Sequence, residues 1–323
     1  MFSYPARLRE NRRGVWRRVG LTFVLCVLVG VPLAVWALRR FERAVVFHPE
    51  RYAAGDVWRV PGRGEDVWIN VGEGERLHGW FVRAGGAEPA AAATVIYFHG
   101  NGGNINGLGW VGEELSARGF DVLLFDYRGY GRSDGAVSDE RRIYEDADAA
   151  YDYVVRVRGV SPRRVVLYGQ SLGTTAAVDV ASRRECAGVV LESGLSSASE
   201  MASLVLPWLP RALHRFARNR LDSARKLSQV SCPVLVAHGT HDEVIPVEQG
   251  RALYAAAREP KQLVIVPGAG HNNLVATGGD AYLDTVARFI RGATASNGAS
   301  QGAQADGTFS PVKVLESRGA VGR

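Results

Sequence analysis

The sequence predicts an α/β fold, a mostly parallel central sheet with helices on both faces, preceded by one N-terminal transmembrane helix. Short apolar segments alternate with longer segments of helical character from about residue 95 to 291. Apolar strands that are separated by helices are typical of a parallel sheet buried on both faces. Ahead of this alternation, residues 20–38 form an apolar run that contains no charged residue.

The apolar run 20–38 predicts a membrane anchor. At about 1.5 Å per residue, a helix of this length reaches nearly across the roughly 30 Å hydrocarbon core of a bilayer. Trp16 and Trp36 lie near its ends, where indole rings favour the membrane interface. A cleaved signal peptide is the alternative, but a long arginine-rich segment precedes the run and a small-x-small cleavage site is lacking. We therefore expect an uncleaved anchor.

The charge distribution predicts the orientation of this anchor and excludes one class of partner. Nine arginines against two glutamates give residues 1–43 a net charge of +7, so the rest of the chain is nearly neutral at −1. More arginines precede the span than follow it, and the positive-inside rule places the basic segment 1–19 in the cytoplasm. The globular part is then extracytoplasmic. Because the basic charge is confined to the anchor region, we expect no nucleic-acid binding.

The globular part is predicted over residues 46–291 and begins with antiparallel strands. Residues 66–71 alternate between apolar and polar, a turn follows at 72–75, and residues 77–82 return. Six further strands are predicted over 95–98, 122–125, 165–168, 189–191, 234–237 and 263–266. Helices are predicted over about 109–118, 139–157, 172–184, 247–258 and 281–291. Ligands of such sheets bind beyond the carboxyl ends of the strands, so the residues that follow each strand are the candidates for a site.

The strand at 165–168 leads into Gly-Gln-Ser-Leu-Gly at residues 169–173. A serine on a strand-to-helix turn projects its hydroxyl above the sheet, and the flanking glycines remove side chains that would clash in the turn. The helix that starts at Leu172 directs free N–H groups toward any oxyanion near Ser171. An ordinary turn with a buried serine is the alternative, and the presence of partner motifs in the right order decides between the two.

Four other predicted strands are each followed by a short motif that contains glycine together with histidine or aspartate. The motifs are His-Gly-Asn at 99–101, Asp-Tyr-Arg-Gly-Tyr-Gly at 126–131, His-Gly-Thr-His-Asp at 238–242 and Gly-Ala-Gly-His at 268–271. Together with the serine motif they resemble the α/β-hydrolase superfamily, in its order of nucleophile, acid and histidine. The resemblance covers about residues 66–291. The motifs are similar to those of the membrane-anchored serine hydrolases that include acylglycerol and lysophospholipid lipases and protein depalmitoylases.

This resemblance implies a serine hydrolase that cleaves carboxylic esters or thioesters, with lipid-like acyl substrates, through an acyl-enzyme. Ser171 would be the nucleophile, His271 its base and Asp242 the group that orients the imidazole. Backbone N–H groups of Leu172 and Asn101 are the expected oxyanion hole. Because the chain supplies all of these groups, we expect no metal and no organic cofactor. Glu192 and Glu243 are the alternative acids.

Residues 196–227 interrupt the alternation of strands and helices with apolar side chains followed by arginines. We expect a small cap over the carboxyl edge of the sheet that admits an acyl chain, and two ordinary packing helices are the alternative. The expected substrate contacts are Leu206 and Trp208 in this segment, together with Gly100 and Gly102.

Three further expectations concern the rest of the chain. Cys186 and Cys232 each precede a predicted strand, so a disulfide is permitted if the domain is extracytoplasmic, with free thiols as the alternative. Residues 292–323 carry few bulky side chains and are predicted to be disordered. A peptidase of the same fold and a catalytically inactive binding or scaffold module are the alternative functions. The sequence carries no indication of the oligomeric state.

Overall fold

The computed structural model describes residues 6–72, 74–85, 91–208, 210–214, 217–296 and 312–315. The chain divides into two compact units after Val46. The first unit contains one helix, α1 (Ala6–Val46), with Pro32 inside it. Its part Trp16–Val46 is long and apolar enough to cross a membrane, and it is not buried against protein. This candidate span contains the predicted run and extends beyond both of its ends.

The second unit alternates strands and helices as the sequence predicts. The strands are β1 (His48–Pro49), β2 (Gly64–Val71), β3 (Glu75–Val82), β4 (Ala93–Phe98), β5 (Gly102–Gly103), β6 (Phe120–Phe125), β7 (Val165–Gln170), β8 (Gly188–Glu192), β9 (Val234–Gly239), β10 (Lys261–Val266) and β11 (Val312–Val314). The helices are α2 (Gly109–Ala117), α3 (Glu140–Asp152), α4 (Gly173–Ala181), α5 (Ala198–Val205), α6 (Arg211–His214), α7 (Ser223–Leu227), α8 (Val247–Ala256) and α9 (Leu274–Ser296).

Nine of these strands form one sheet in the order β11-β10-β9-β8-β7-β4-β6-β3-β2. Only the pairs β2–β3 and β3–β6 are antiparallel, and all other pairs are parallel. The prediction of a mostly parallel sheet with an antiparallel start is therefore confirmed. The carboxyl ends of β4, β7, β8, β9 and β10 meet along one edge, because these strands are parallel neighbours.

Helices cover both faces of this sheet. On one face, α2 and α9 share a core with every second strand residue, such as Val95 and Tyr97 of β4. On the other, α4 packs on β4, β7 and β8, with α3 and α7 beside it. The period of two in the strands explains this arrangement, since successive side chains point to opposite faces. All six residues of β4 are buried, as expected for a central strand with two covered faces.

Two boundaries differ from the prediction. The last helix was predicted over 281–291, but α9 starts at Leu274 and crosses a kink at Gly279, whose φ of 56° suits glycine. The prediction of disorder over 292–323 is wrong for residues 292–296, which continue α9, and for 312–314, which pair with β10 as the edge strand β11. Leu315 follows β11 and is buried, and the other residues of that range lie outside the described residues. Backbone pairing with an existing strand stabilises β11, which its composition could not predict.

The two cysteines that precede β8 and β9 are neighbours in the fold. The Sγ atoms of Cys186 and Cys232 lie 3.0 Å apart, and both residues are free thiols. Because Val189 pairs with Val234 in parallel register, the residues before each strand are brought side by side. The structure thus places the pair where a disulfide could form.

Candidate active site

The serine motif forms a sharp turn between β7 and α4. Ser171 has a φ of 53°, in the left-handed region that non-glycine residues rarely adopt. A Cβ atom at Gly173 would lie 1.9 Å from the carbonyl oxygen of Phe98, and one at Gly169 would lie 2.5 Å from that of Gly173. Only glycine fits at both positions. The N–H of Ser171 donates to the carbonyl of Glu192 at 2.9 Å, which ties the turn to the end of β8.

Two of the other predicted site residues converge on this serine. Nε2 of His271 lies 2.9 Å from Oγ of Ser171, and its Nδ1 lies 2.8 Å from Oδ2 of Asp242. The three side chains come from the ends of β7, β9 and β10, which are separated by up to 100 residues along the chain. The imidazole is therefore placed to take a proton from the serine hydroxyl while the carboxylate orients it.

The carboxylate of Asp242 is held in one orientation by four donors. Its Oδ1 accepts the N–H groups of Val244 and Ile245 at 3.0 and 2.7 Å. Its Oδ2 lies 3.2 Å from Nε2 of His238, in addition to His271. Burial by itself would raise the pKa of Asp242, but these hydrogen bonds favour the charged form and hold the pKa well below the usual range. Asp242 is thus ionised at neutral pH.

His238 lies fully buried behind Asp242. Its Nε2 also lies 2.7 Å from the carbonyl oxygen of Ile245, and since a carbonyl only accepts, Nε2 carries the proton. A Cβ atom at Gly250 would lie 2.5 Å from the opposite side of the ring. The histidine therefore fixes the loop that presents the acid.

Ser171 and His271 open onto a crevice of about 530 Å³ at the carboxyl edge of the sheet. Asn101 and its neighbouring glycines line one side, and apolar side chains line another. The apolar group consists of Leu108, Trp110, Val244 and Val275. A crevice with a few convergent polar groups in an apolar wall is typical of a small-molecule site.

The two predicted oxyanion donors are the backbone N–H groups of Leu172 and Asn101. Among the described residues, no acceptor takes the backbone N–H of Leu172 or of Asn101. Leu172 follows the serine at the start of α4, and Asn101 lines the crevice. Neither N–H group has an acceptor within the described part of the chain, and their role as oxyanion donors stays a prediction.

The glycine-rich loop after β4 is fixed by the segment that follows α1. The short strands β1 and β5 pair in parallel, and the N–H of His48 donates to the carbonyl of Asn101 at 2.9 Å. The hydroxyl of Tyr130 donates to the same carbonyl at 2.9 Å. From below, Nδ1 of the buried His99 donates to the carbonyl of Gly100 at 2.8 Å. Residues distant in sequence thus set the shape of the loop.

The remaining predicted substrate contacts divide into two groups. Gly100 and Gly102 line the crevice, whereas Leu206 and Trp208 do not. Leu206 ends α5, and Trp208 is 75% exposed. Of the alternative acids, Glu192 lines the crevice but bonds to two tyrosines rather than to His271.

Sequence reasoning missed several residues of the crevice wall, above all Tyr97, Trp110 and Val275. Tyr97 lies inside a strand that the sequence shows only as apolar. Trp110 and Val275 lie on α2 and α9, near the amino ends of these helices. Helix periodicity gives which face is buried but not which residue reaches a site, so no local signal could have found them.

A larger groove of about 760 Å³ lies between β2 and α3, away from Ser171. Its wall contains several arginines, but acidic neighbours neutralise them. Arg142 lies 2.9 Å from Glu75, and Arg184 lies 3.3 Å from Asp148. The described lining of this groove contains carboxylates but no serine, cysteine or histidine, so the crevice at Ser171 is the candidate active site.

Comparison with protein families gives two matches along the second unit. The profile described as serine aminopeptidase, S33, matches residues 89–228, and that described as TAP-like protein matches residues 215–301. The first match covers the serine motif and the second covers the acid and histidine motifs.

Two curated relatives and one solved structure are similar to this chain. An uncharacterized protein of Mycobacterium tuberculosis is 35% identical over 272 residues, which cover 84% of this chain and 93% of the relative. Alpha/beta hydrolase domain-containing protein 17B of Xenopus tropicalis is 33% identical over 238 residues, or 72% of this chain and 78% of the relative. An esterase of Pyrococcus furiosus superposes with a TM-score of 0.59 at 20% identity, covering 76% of this chain and 97% of the esterase. At that identity the superposition shows the fold alone.

Proposed function

The chain belongs to the α/β-hydrolase superfamily, and on that premise we propose that it is a serine hydrolase that cleaves carboxylic esters or thioesters. The observation that carries the proposal is the position of His271, whose ring lies within hydrogen-bond distance of both Ser171 and Asp242. A catalytically inactive binding or scaffold module would not need a strained serine, an ionised acid and a histidine between them.

The proposed reaction starts with attack of Ser171 Oγ on the acyl carbon, while Nε2 of His271 takes the hydroxyl proton. The oxyanion that forms accepts hydrogen bonds from the N–H groups of Leu172 and Asn101. Loss of one such donor typically costs about 2.7–4 kcal/mol of barrier. His271 then gives its proton to the leaving alcohol or thiol, which leaves an acyl-enzyme. Water repeats the sequence and releases the acid.

Asp242 acts in both halves of this cycle through His271. Its carboxylate accepts the Nδ1–H and thereby keeps Nε2 free to receive the serine proton. When the imidazole becomes charged, the adjacent negative charge stabilises it. The donors around Asp242 keep it ionised, so it supplies this charge at every pH at which the enzyme would work.

The apolar wall of the crevice is the reason for proposing lipid-like acyl substrates. Trp110 is 45% exposed and Val244 is 58% exposed, and both line the crevice. Apolar side chains at the rim favour an acyl chain through the hydrophobic effect. The membrane helix in residues 20–38 is proposed to anchor the enzyme, with residues 1–19 in the cytoplasm and the catalytic domain outside. Substrates that partition into lipid would then be concentrated near it.

The first test is active-site labelling. A fluorophosphonate probe should label the full-length protein, and Ser171→Ala should abolish the label and lower kcat/KM for p-nitrophenyl acetate by at least about 10³-fold. Ser228→Ala is the matched control, because Ser228 is exposed on the surface outside the crevice lining. Labelling that persists in Ser171→Ala would contradict the proposal.

A peptidase of the same fold is the second candidate, because the family profile over residues 89–228 is described as serine aminopeptidase. An acyl p-nitrophenyl ester and aminoacyl p-nitroanilides separate the two, since an esterase cleaves the first and an aminopeptidase cleaves the second. We expect hydrolysis of p-nitrophenyl butyrate and no measurable release of p-nitroaniline from an alanyl or leucyl anilide. Faster cleavage of the anilides would favour the peptidase.

A further inference from the structure

The inner wall of the crevice carries a carboxyl group that the proposed mechanism does not use. Glu192 ends β8 and pairs in register with Gln170, so it lies beside Ser171 at the carboxyl edge of the sheet. The residue is 7% exposed and lines the crevice together with Ser171 and His271. Burial of a carboxyl group costs free energy unless hydrogen-bond partners compensate for the lost water.

The described partners of Glu192 all lie on one of its two oxygens. The hydroxyl of Tyr282 donates to Oε2 at 2.5 Å, and the hydroxyl of Tyr168 donates to the same atom. Within the part of the chain that the structure describes, Oε1 has no hydrogen-bond partner. The tyrosines thus fix the carboxyl group from behind and leave one oxygen for the crevice.

A second unused polar group lines the same crevice. Tyr97 is 5% exposed, its ring stacks against that of Tyr168 with centroids 5.1 Å apart, and it also lines the crevice. Its hydroxyl likewise bonds to none of the described residues. Tyr97 and Glu192 both also border a recess of about 20 Å³ behind the crevice. A recess of this size holds about one water molecule or one hydroxyl group.

The surroundings favour the neutral forms of both groups. Burial raises the pKa of Glu192 above its ordinary value, although the hydrogen bonds from Tyr168 and Tyr282 act in the opposite direction. Burial also raises the pKa of Tyr97 well above its ordinary value. A neutral carboxyl group and a phenol can each donate and accept one hydrogen bond, as a hydroxyl group does. Most of the other residues that border the recess are apolar, such as Val275 and Leu283, and Glu114 and Tyr168 also border it.

We propose that Glu192 and Tyr97 form a hydroxyl-binding subsite, so that the preferred ester carries a free hydroxyl group close to its reacting carbonyl. The inference rests on the proposed function of Ser171 and names its substrate class. A hydroxyl satisfies both buried groups, whereas a methyl group of the same size leaves them unpaired. Sites built to bond a substrate hydroxyl reject the analogue that lacks it far more strongly than apolar pockets reject a size change.

The experiment compares two pairs of esters in which a hydroxyl replaces a methyl group. In the acyl pair, p-nitrophenyl 3-hydroxybutyrate is compared with p-nitrophenyl 3-methylbutyrate. In the alcohol pair, 2-hydroxyethyl butyrate is compared with propyl butyrate, with acid release followed by titration. We expect the full-length enzyme to favour the hydroxyl member by at least about tenfold in kcat/KM in one pair. The pair that shows the preference identifies whether the hydroxyl belongs to the acyl or the alcohol part.

Variants connect this preference to the two residues. Tyr97→Phe removes a hydroxyl that bonds to no described residue, and it should bring the hydroxyl-to-methyl ratio close to one. Glu192→Met should do the same, while Glu192→Gln should retain the ratio because an amide also donates and accepts. Tyr144→Phe is the matched control, because this tyrosine lies on α3 and outside the crevice lining. It should keep the ratio of the natural enzyme.

The two proposals fail in different ways. In each pair, one ester carries a hydroxyl group and the other carries a methyl group at the same position. Equal rates of hydrolysis of the two esters in both pairs would overturn the subsite and leave the proposed serine hydrolase activity intact. A preference that survives in Tyr97→Phe and Glu192→Met would also overturn the subsite. Absence of hydrolysis of all four esters together with absence of fluorophosphonate labelling would overturn the proposed function itself.

Discussion

Ser171 adopts a backbone conformation that costs of order 1–3 kcal/mol and persists only because its neighbours determine it. Gly173 lets the turn approach Phe98, and the hydrogen bond to the carbonyl of Glu192 holds the serine N–H. Asp126, which follows β6, helps to hold the segment that follows β4. It is fully buried, accepts the N–H of Ile105 at 2.9 Å and lies 3.7 Å from Nε2 of His99.

The titration of Asp126 leads to a prediction about stability. Burial raises its pKa to about 8, from 3.8 in the unfolded chain. Between these values the folded state binds more protons than the unfolded state. The free energy of unfolding should therefore fall as the pH rises from about 4 to about 8, by at most about 1.4 kcal/mol per pH unit. Asp126→Asn does not titrate and should lack this contribution.

Urea unfolding of both proteins in detergent at pH 5, 6, 7 and 8, followed by tryptophan fluorescence, measures the effect. The difference in unfolding free energy between the natural protein and Asp126→Asn should decrease steadily over this range. A difference that stays constant with pH would mean that Asp126 is already ionised in the folded protein at pH 5.

At the scale of elements, β1 follows α1 in the chain and pairs with β5 in the proposed oxyanion loop. Four hydrogen bonds join these segments: His48 N–H to Asn101, Glu50 N–H to Gly103, Asn104 Nδ2 to Glu50, and a side-chain contact of 3.2 Å between His48 and Asn101. The next residues pair with the loop after β6. The N–H of Gly131 donates to the carbonyl of Glu50, and the N–H of Tyr52 donates to the carbonyl of Gly131. An exposed strand of two residues thus helps to position the loop that carries the proposed oxyanion N–H group of Asn101.

His48→Pro tests this positioning role. Proline lacks the N–H that bonds to Asn101, whereas His48→Ala keeps that N–H and loses only the imidazole. We expect His48→Pro to lower kcat for p-nitrophenyl acetate by about tenfold with little change in KM, which is less than the cost of losing an oxyanion donor outright. His48→Ala should stay within about twofold of the natural enzyme. Equal effects of the two variants would assign the contact to the imidazole and not to the strand.

At the scale of the whole molecule, the chain combines a candidate membrane span with a hydrolase domain, and we propose its orientation from the charge distribution. Fusion of a reporter to the C-terminus in a bacterial host tests it. Alkaline phosphatase should be active and a green fluorescent protein dark, because the domain is proposed to be extracytoplasmic. Replacing Arg17 and Arg18 with glutamine weakens the charge asymmetry and should increase the inverted fraction. A fluorescent fusion with inactive phosphatase would reverse the proposed orientation.

The cysteine pair gives a second readout of compartment. Outside the cytoplasm, Cys186 and Cys232 are close enough to be oxidised to a disulfide, which maleimide labelling under non-reducing conditions would detect as two blocked thiols. Three reactive thiols after denaturation, Cys26 included, would agree with a cytoplasmic domain or with an unoxidised pair, and the reporter fusions separate these two cases.

Local patterns predicted most of the fold and the three side chains that meet at the carboxyl edge of the sheet. Strand and helix periods, and the glycines that allow the turn at Ser171, are properties of a few neighbouring residues. Since parallel strands end at one edge, the motifs after β7, β9 and β10 had to meet there. Even the expected N–H of Asn101 follows from a glycine-rich loop after a strand.

Patterns along the chain were enough to predict the fold class, the candidate span and the order of the proposed nucleophile, acid and base. The pairing of β1 with β5, the strand β11 at the sheet edge and the presence of Tyr97 and Glu192 in one crevice wall became visible in the folded structure. Each of these depends on register and on which strands are neighbours across long stretches of chain. Local periodicity sets which face a side chain occupies, whereas its contacts are set by the packing of the complete sheet.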